Sequence, residues 1–268
     1  MKQFFILTAI LFATYNISAQ SDLVQQTDPP QQTDLIQQTD LLQQANEAYA
    51  KGAFKEAAEL YEETLKANGE SAIVYYNLGN SYYRLNKVAP SILNFERALL
   101  LDPGNKDIRF NLEIAKLKAV DRIDHIEDFF LTEWFRSIQN LLSTDAWSNF
   151  SIACFLLMIG GLILFFFSRR VFIKKFGFYF ALVLLVFVIF GNSFAYNQKK
   201  KLTQRNEAII LAPTTNIKSS PDNSGTDLFI LHEGTKVKLS KTSVGEWEKI
   251  ETSDGSVGWI RSSEIEVI

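Results

Sequence analysis

The chain has 268 residues, a formal charge of −3, a single cysteine and 22 phenylalanines, and 47 % of it is apolar. One cysteine, Cys154, excludes a disulfide framework and any cysteine-based metal centre. The aromatic mass exceeds what a soluble domain of this length needs and is concentrated rather than spread, which points to membrane segments.

Residues 1–19, MKQFFILTAILFATYNISA, carry one lysine, an apolar run and a small-residue end. They read as a secretory signal peptide cleaved after Ala19, with an uncleaved anchor as the alternative. No cysteine follows the cleavage point, which disfavours a lipoprotein. Residues 20–37 form a Gln/Thr/Asp-rich stretch in which Gln-Gln returns every six residues, at Gln25, Gln31 and Gln37. Six is neither the helical nor the strand period, and Pro29-Pro30 breaks helices. The expectation is a flexible leader.

From Gln38 a 34-residue period takes over. Its stronger copy, residues 72–105, places Tyr75, Leu78, Gly79, Tyr82, Ser91, Phe95, Ala98 and Pro103 at fixed intervals. In the weaker copy, 38–71, Leu41, Ala45, Gly52, Phe54, Ala57 and Tyr61 fall on equivalent places. Small pairs, Ala45 with Ala57 and Gly79 with Ser91, let two antiparallel helices approach. Tyr61, Tyr82 and Phe95 fill the gap to the next helix, and Gly52 and Asn86 suit the turns between helices. A further helix over 106–122 keeps Asn111-Leu112 and has Glu113 where a small residue belongs. These positions resemble the tetratricopeptide repeat, which implies an all-α solenoid with a concave, peptide-gripping face. On that resemblance the face is lined by Asn46, Tyr49, Tyr76, Asn77, Asn80, Tyr83, Arg84 and Phe110. The alternative is that these are consensus residues with structural roles. The basic partners of a carboxylate clamp are replaced by Leu42, Asp107 and Asn111, so a reader of C-terminal carboxylates is not expected.

Residues 121–128, DRIDHIED, gather carboxylates around His125, and a solvated helix face is a plainer reading than a metal site. Residues 123–145 read as an amphipathic helix with Phe130, Trp134, Phe135, Ile138, Leu141 and Leu142 on one face. It either caps the repeats or lies on a membrane surface. Two spans follow, 146–168 and 176–196, whose uncharged runs 147–167 and 176–196 are each about 31 Å long as a helix and so about a bilayer core thick. Between them lies a basic loop, 169–175, and after them a basic linker, 197–205. From Arg169 to Arg205 there are eight basic residues and no acidic one. The flanking charges balance, so orientation follows from the signal peptide. Both soluble parts are expected in the exported compartment, with the loop in the cytoplasm and the linker's lysines at anionic headgroups.

Residues 206–268 change texture to short β-rich runs between turn residues, with Asp254-Gly255 as a hairpin signal. The expectation is a small all-β barrel. NIKSSP, LHEGTKVKL, GEWEKI and DGSVGWI, with Gly234, Trp247, Gly258 and Trp259, resemble the bacterial SH3 (SH3b) family. That resemblance implies peptide or wall-fragment binding through an aromatic surface. Trp247 is its candidate, with ordinary packing as the alternative, and Trp259 is read as structural. From Asn206 on there are six basic and ten acidic residues, which disfavours nucleic acid.

The fold expectation is therefore a multi-domain membrane protein: solenoid, transmembrane hairpin, C-terminal barrel. No phosphate loop, metal spacing or nucleophile motif is seen, so no cofactor or catalytic residue is expected. The order of modules is similar to the aerotolerance-operon (Bat) family. That similarity implies von Willebrand A membrane proteins and a MoxR-type ATPase as partners in stress tolerance. The leading expectation is a non-enzymatic inner-membrane scaffold, and the alternative is a peptidoglycan-binding sensor.

Overall fold

The computed structural model describes residues 32–121 and 130–268. The expected signal peptide, most of the leader, and all of DRIDHIED but Asp121 lie outside the described residues.

Helix α1 (Gln32–Ala50) begins six residues before the expected start at Gln38. After Pro30 nothing in the sequence opposes helix, and Gln and Leu are good helix formers. It pairs with α2 (Phe54–Asn68) through a turn in which Gly52 has φ 81°, a conformation that costs other residues a Cβ clash. The second pair, α3 (Ala72–Arg84) and α4 (Val88–Leu101), turns at Asn86 with φ 57°. α5 (Lys106–Lys116) is capped by Asn105, whose side chain accepts from the N–H groups of Asp107 and Ile108. The small-residue pairs behave as their spacing demands. Ala45 and Ala57 are fully buried, and a Cβ on Gly79 would lie 2.8 Å from the Phe95 ring. The Ser91 hydroxyl donates to the Gly79 carbonyl at 2.9 Å.

Of the amphipathic helix expected over 123–145, residues 123–129 lie outside the described residues and 130–139 form α6 (Phe130–Gln139), which ends before Leu141 and Leu142. Beyond it stand α7 (Thr144–Phe167) and α8 (Val171–Thr203), two helices long and apolar enough to cross a membrane. Only 17 % and 28 % of their most apolar stretches are buried, so they are not the core of a soluble fold. Ser143 caps α7 by accepting from the Ala146 N–H. Glycines bring the two helices together: a Cβ on Gly177 would lie 2.6 Å from the Gly161 carbonyl oxygen. Asn192 donates to the buried Ser151 hydroxyl at 2.8 Å across the same seam. The basic flanks differ from expectation. Only Ser168–Arg170 form the turn, and α8 runs on through Lys174–Lys175 at one end and Lys199–Lys201 at the other. Lysine is a good helix former, and no glycine or proline stops the helix there.

The C-terminal module is one antiparallel sheet of seven strands. They are β1 (Glu207–Ile210), β2 (Thr214–Lys218), β3 (Asp227–His232), β4 (Lys236–Val244), β5 (Trp247–Glu251), β6 (Val257–Arg261) and β7 (Ile265–Val267). Their order is β3-β2-β6-β5-β4-β1-β7, with β3 and β7 as edges. The expected closed barrel is thus an open sheet, curled around Ile210, Ile217, Val237, Ile250 and Ile260. The β5–β6 hairpin turns at the predicted Asp254-Gly255, with Gly255 at φ 84°.

Repeats and sheet share one core. Ile209 and Ile268 of the sheet belong to the same buried cluster as Tyr75, Ile92, Phe95 and Leu112 of the helices. The modules are fused, not strung along a linker.

Candidate binding faces

The back of the helical pairs is where the sheet docks. α4 lies against β1, and a Cβ on Gly234 would come 3.0 Å from the Ile92 side chain. Charged groups ring this apolar contact. Glu96 sits 3.1 Å from Lys116 and 2.9 Å from Lys236, which also meets Glu207 at 2.8 Å. Arg97 donates to Glu266 at 2.9 Å and to the Val267 carbonyl at 2.6 Å. Arg205, just after α8, forks onto Glu70 between α2 and α3. Asp121 accepts from the His232 N–H at 2.7 Å and the Thr235 hydroxyl at 2.8 Å, and touches the His232 ring at 2.7 Å.

These partners decide the ionisation of the acids. Burial pushes Glu96 up, but Lys236 and Lys116 outweigh it and hold the carboxyl below the ordinary range. Asp121 behaves alike, with burial outweighed by the hydrogen bonds from His232 and Thr235. The Arg205 fork holds Glu70 down.

The other face, formed by α1, α3 and α5, carries the sequence-predicted residues. Asn46 accepts from the Tyr61 hydroxyl at 2.7 Å and from the Asn77 amide at 3.3 Å. Burial, then the neighbouring Tyr49, pushes the Tyr61 hydroxyl up to about 12, so it stays a donor at neutral pH. Asn111 donates to the Tyr76 hydroxyl at 2.8 Å and to Asn80 at 3.1 Å. Asn46 and Asn77 thus join α1 to α3, and Tyr76 and Asn80 are separately joined through Asn111 to α5.

The remaining predicted residues sit in smaller groups. Tyr49 packs edge-on to Phe54, with ring centroids 5.2 Å apart, and the Arg84 guanidinium covers Phe54 at 4.6 Å. Tyr83 lies under the Lys118 ammonium at 4.0 Å. Phe110 is 66 % exposed on its own. Asn111 and Lys118 were not predicted here. The signal for Asn111 is in the period: Asn80 stands 34 residues after Asn46, and Asn111 stands 34 after Asn77.

On the sheet, the expected aromatic candidate, Trp247, is largely covered. Trp247 is only 7 % exposed, because its cross-strand partner Arg261 lies over the ring at 5.5 Å. Trp259, read as structural, is the half-buried one of the two. Exposed apolar residues are Leu228 and Ile230 on edge strand β3, together with Val244, Val257 and Val267 on β4, β6 and β7. Ile230 borders a hollow of about 290 Å³ with Thr252, Asp254, Ser256 and Asp121. Among the described residues no three His, Cys, Asp or Glu side chains gather as a metal site. Cys154 is buried in the helical hairpin.

Comparison with known families finds a tetratricopeptide repeat over residues 72–105 and a bacterial SH3 domain over residues 213–266. No curated protein matches the chain. Both families are non-catalytic binding modules, which suggests binding of protein or peptidoglycan.

Proposed function

We propose that the chain is a non-enzymatic scaffold, anchored in the inner membrane by α7 and α8, that captures a protein segment on the α1–α3–α5 face. One observation carries this reading: the sheet docks on α4, at the back of the repeats, and leaves the Asn/Tyr face turned away from it. Amide side chains offer a donor and an acceptor each, which suits main-chain groups of an extended segment. The exposed Phe110 adds an apolar contact. The hairpin puts both modules at one end of the membrane pair, and a cleaved signal peptide would make that end periplasmic. The Bat-like order of modules supports membrane proteins with von Willebrand A domains, served by a MoxR-type ATPase, as the partners.

In-cell crosslinking with the full-length chain tests this. Replacing the exposed Phe110 by alanine is expected to weaken capture about tenfold, roughly 1.4 kcal/mol, while the melting temperature holds. Unchanged capture counts against the scaffold.

A second reading has its own support. The bacterial SH3 match and the Ile230-lined hollow favour a module that binds peptidoglycan fragments. Because Ile209 and Ile268 belong to the shared core, the test uses the full chain in detergent. Co-sedimentation with purified peptidoglycan, lost in Ile230→Asp, supports this reading, and no sedimentation removes it.

A further inference from the structure

We propose that α6 is a third membrane-contacting helix, set against the hairpin so that Trp134 and Phe135 face the acyl chains just below the headgroups. The inference rests on the reading of α7 and α8 as membrane spans.

α6 is fixed to the hairpin by polar bonds at its C-terminal end. The Gln139 carbonyl accepts from the Trp147 indole at 2.8 Å and from the Gln198 amide at 2.7 Å. The same amide donates to the Leu142 carbonyl at 2.9 Å. A helix leaves its last carbonyls unsatisfied, and here two hairpin side chains supply the missing donors. Below these bonds Ile138 packs on the cluster of Trp147, Phe194 and Ala195. Phe135 meets Phe190, with ring centroids 6.5 Å apart.

Phe135, Ile138 and Gln139 therefore meet Phe190, Phe194 and Gln198 in the same ascending order. The steps differ, four residues on α6 against eight on α8, so α6 leans on α8 through its side chains at a tilt. Phe190 lies six residues before Tyr196, the end of the apolar run, or about 9 Å deeper along the helix. At that depth α8 shows Phe187, Ile189 and Phe190 outward, all exposed in the chain alone. Trp134, 57 % exposed, and Phe135, 42 % exposed, join that apolar belt. The repeats leave this face of α6 exposed, so they do not cap it. Continuity with the outward face of α8 commits the occupant to lipid. An amphipathic helix buries its apolar face about 5–10 Å into the boundary between headgroups and acyl chains, which is the depth Phe190 marks. The exposed Lys199, Lys200 and Lys201 stand just above, at headgroup height.

The full chain in a Cys154→Ala background, reconstituted into phosphatidylcholine–phosphatidylglycerol vesicles, tests this. An environment-sensitive fluorophore is attached at Trp134→Cys, with Leu157→Cys in mid-span and Lys51→Cys on the repeats as references. Nitroxide-labelled lipid is expected to remove most of the fluorescence at positions 134 and 157, and aqueous iodide to quench only position 51. If position 157 responds to lipid while position 134 responds to iodide, the inference is overturned and the spans stand. If position 157 responds to lipid and position 134 to neither quencher, protein covers α6 and the inference is again overturned. If position 157 ignores lipid, the spans fail and this inference fails with them. Each variant must melt with the parent chain, and Phe135→Cys replaces Trp134→Cys should that one not fold.

Discussion

Glu96 is the most buried acid at the junction, and its environment predicts the cost of losing it. Two lysines converge on it, and both keep about a third of their side-chain surface in water, at 37 % and 34 %. Removing one partner of a buried pair strands the other, at about 3–5 kcal/mol when both are dry. Partial exposure lowers this, so Glu96→Ala is expected to cost about 2 kcal/mol by denaturant titration in detergent. Lys236 retains Glu207, which keeps the loss at that level. Single residues were legible in the sequence where spacing constrained them, as with Gly79 and Ser91. They were not legible where the neighbour was distant. Trp247 alternates like any strand residue, and nothing nearby in sequence reveals that Arg261 covers it from the next strand.

At the scale of elements, the seam between α7 and α8 depends on two glycines that touch backbone to backbone. A side chain on Gly177 meets the Gly161 carbonyl, which no rotamer change can move aside. Gly177→Val should force the helices apart, at about 1–3 kcal/mol. The natural probe is Cys154, 6 % exposed in the parent, which should react several times faster with N-ethylmaleimide in the variant. Equal rates would show that the seam tolerates the valine. Helix starts and turns were readable, since Ser143, Asn86 and Gly52 each have a local conformational reason to be there. The ends of α8 were not. Lysines serve equally in a helix or a basic linker, and only packing tells the two apart.

The whole molecule departs furthest from what a sequence displays. Two module types were recognisable by period and turn chemistry, yet their fusion rests on Ile209, Ile268, Glu96 and Asp121, which form no local pattern. Three carboxyls at the junction, Glu70, Glu96 and Asp121, have pKa values lowered by the fold. Lowered acids stabilise the folded state fully above their ordinary values and lose that contribution as pH falls through the folded ones. The melting temperature should therefore hold from pH 7 down to about 5 and drop below about 4. In Glu96→Ala the acid-side drop should be smaller. The shared core also sets an order of events during synthesis. The apolar back of α4 is finished by strands that emerge from the ribosome only after both long apolar helices. Until residues through Ile268 have been made, Ile92 and its neighbours face whatever else is present. Assembly of the repeats is then completed after the apolar hairpin has been made, and an interruption anywhere past Thr203 would leave a sticky, half-closed helical stack.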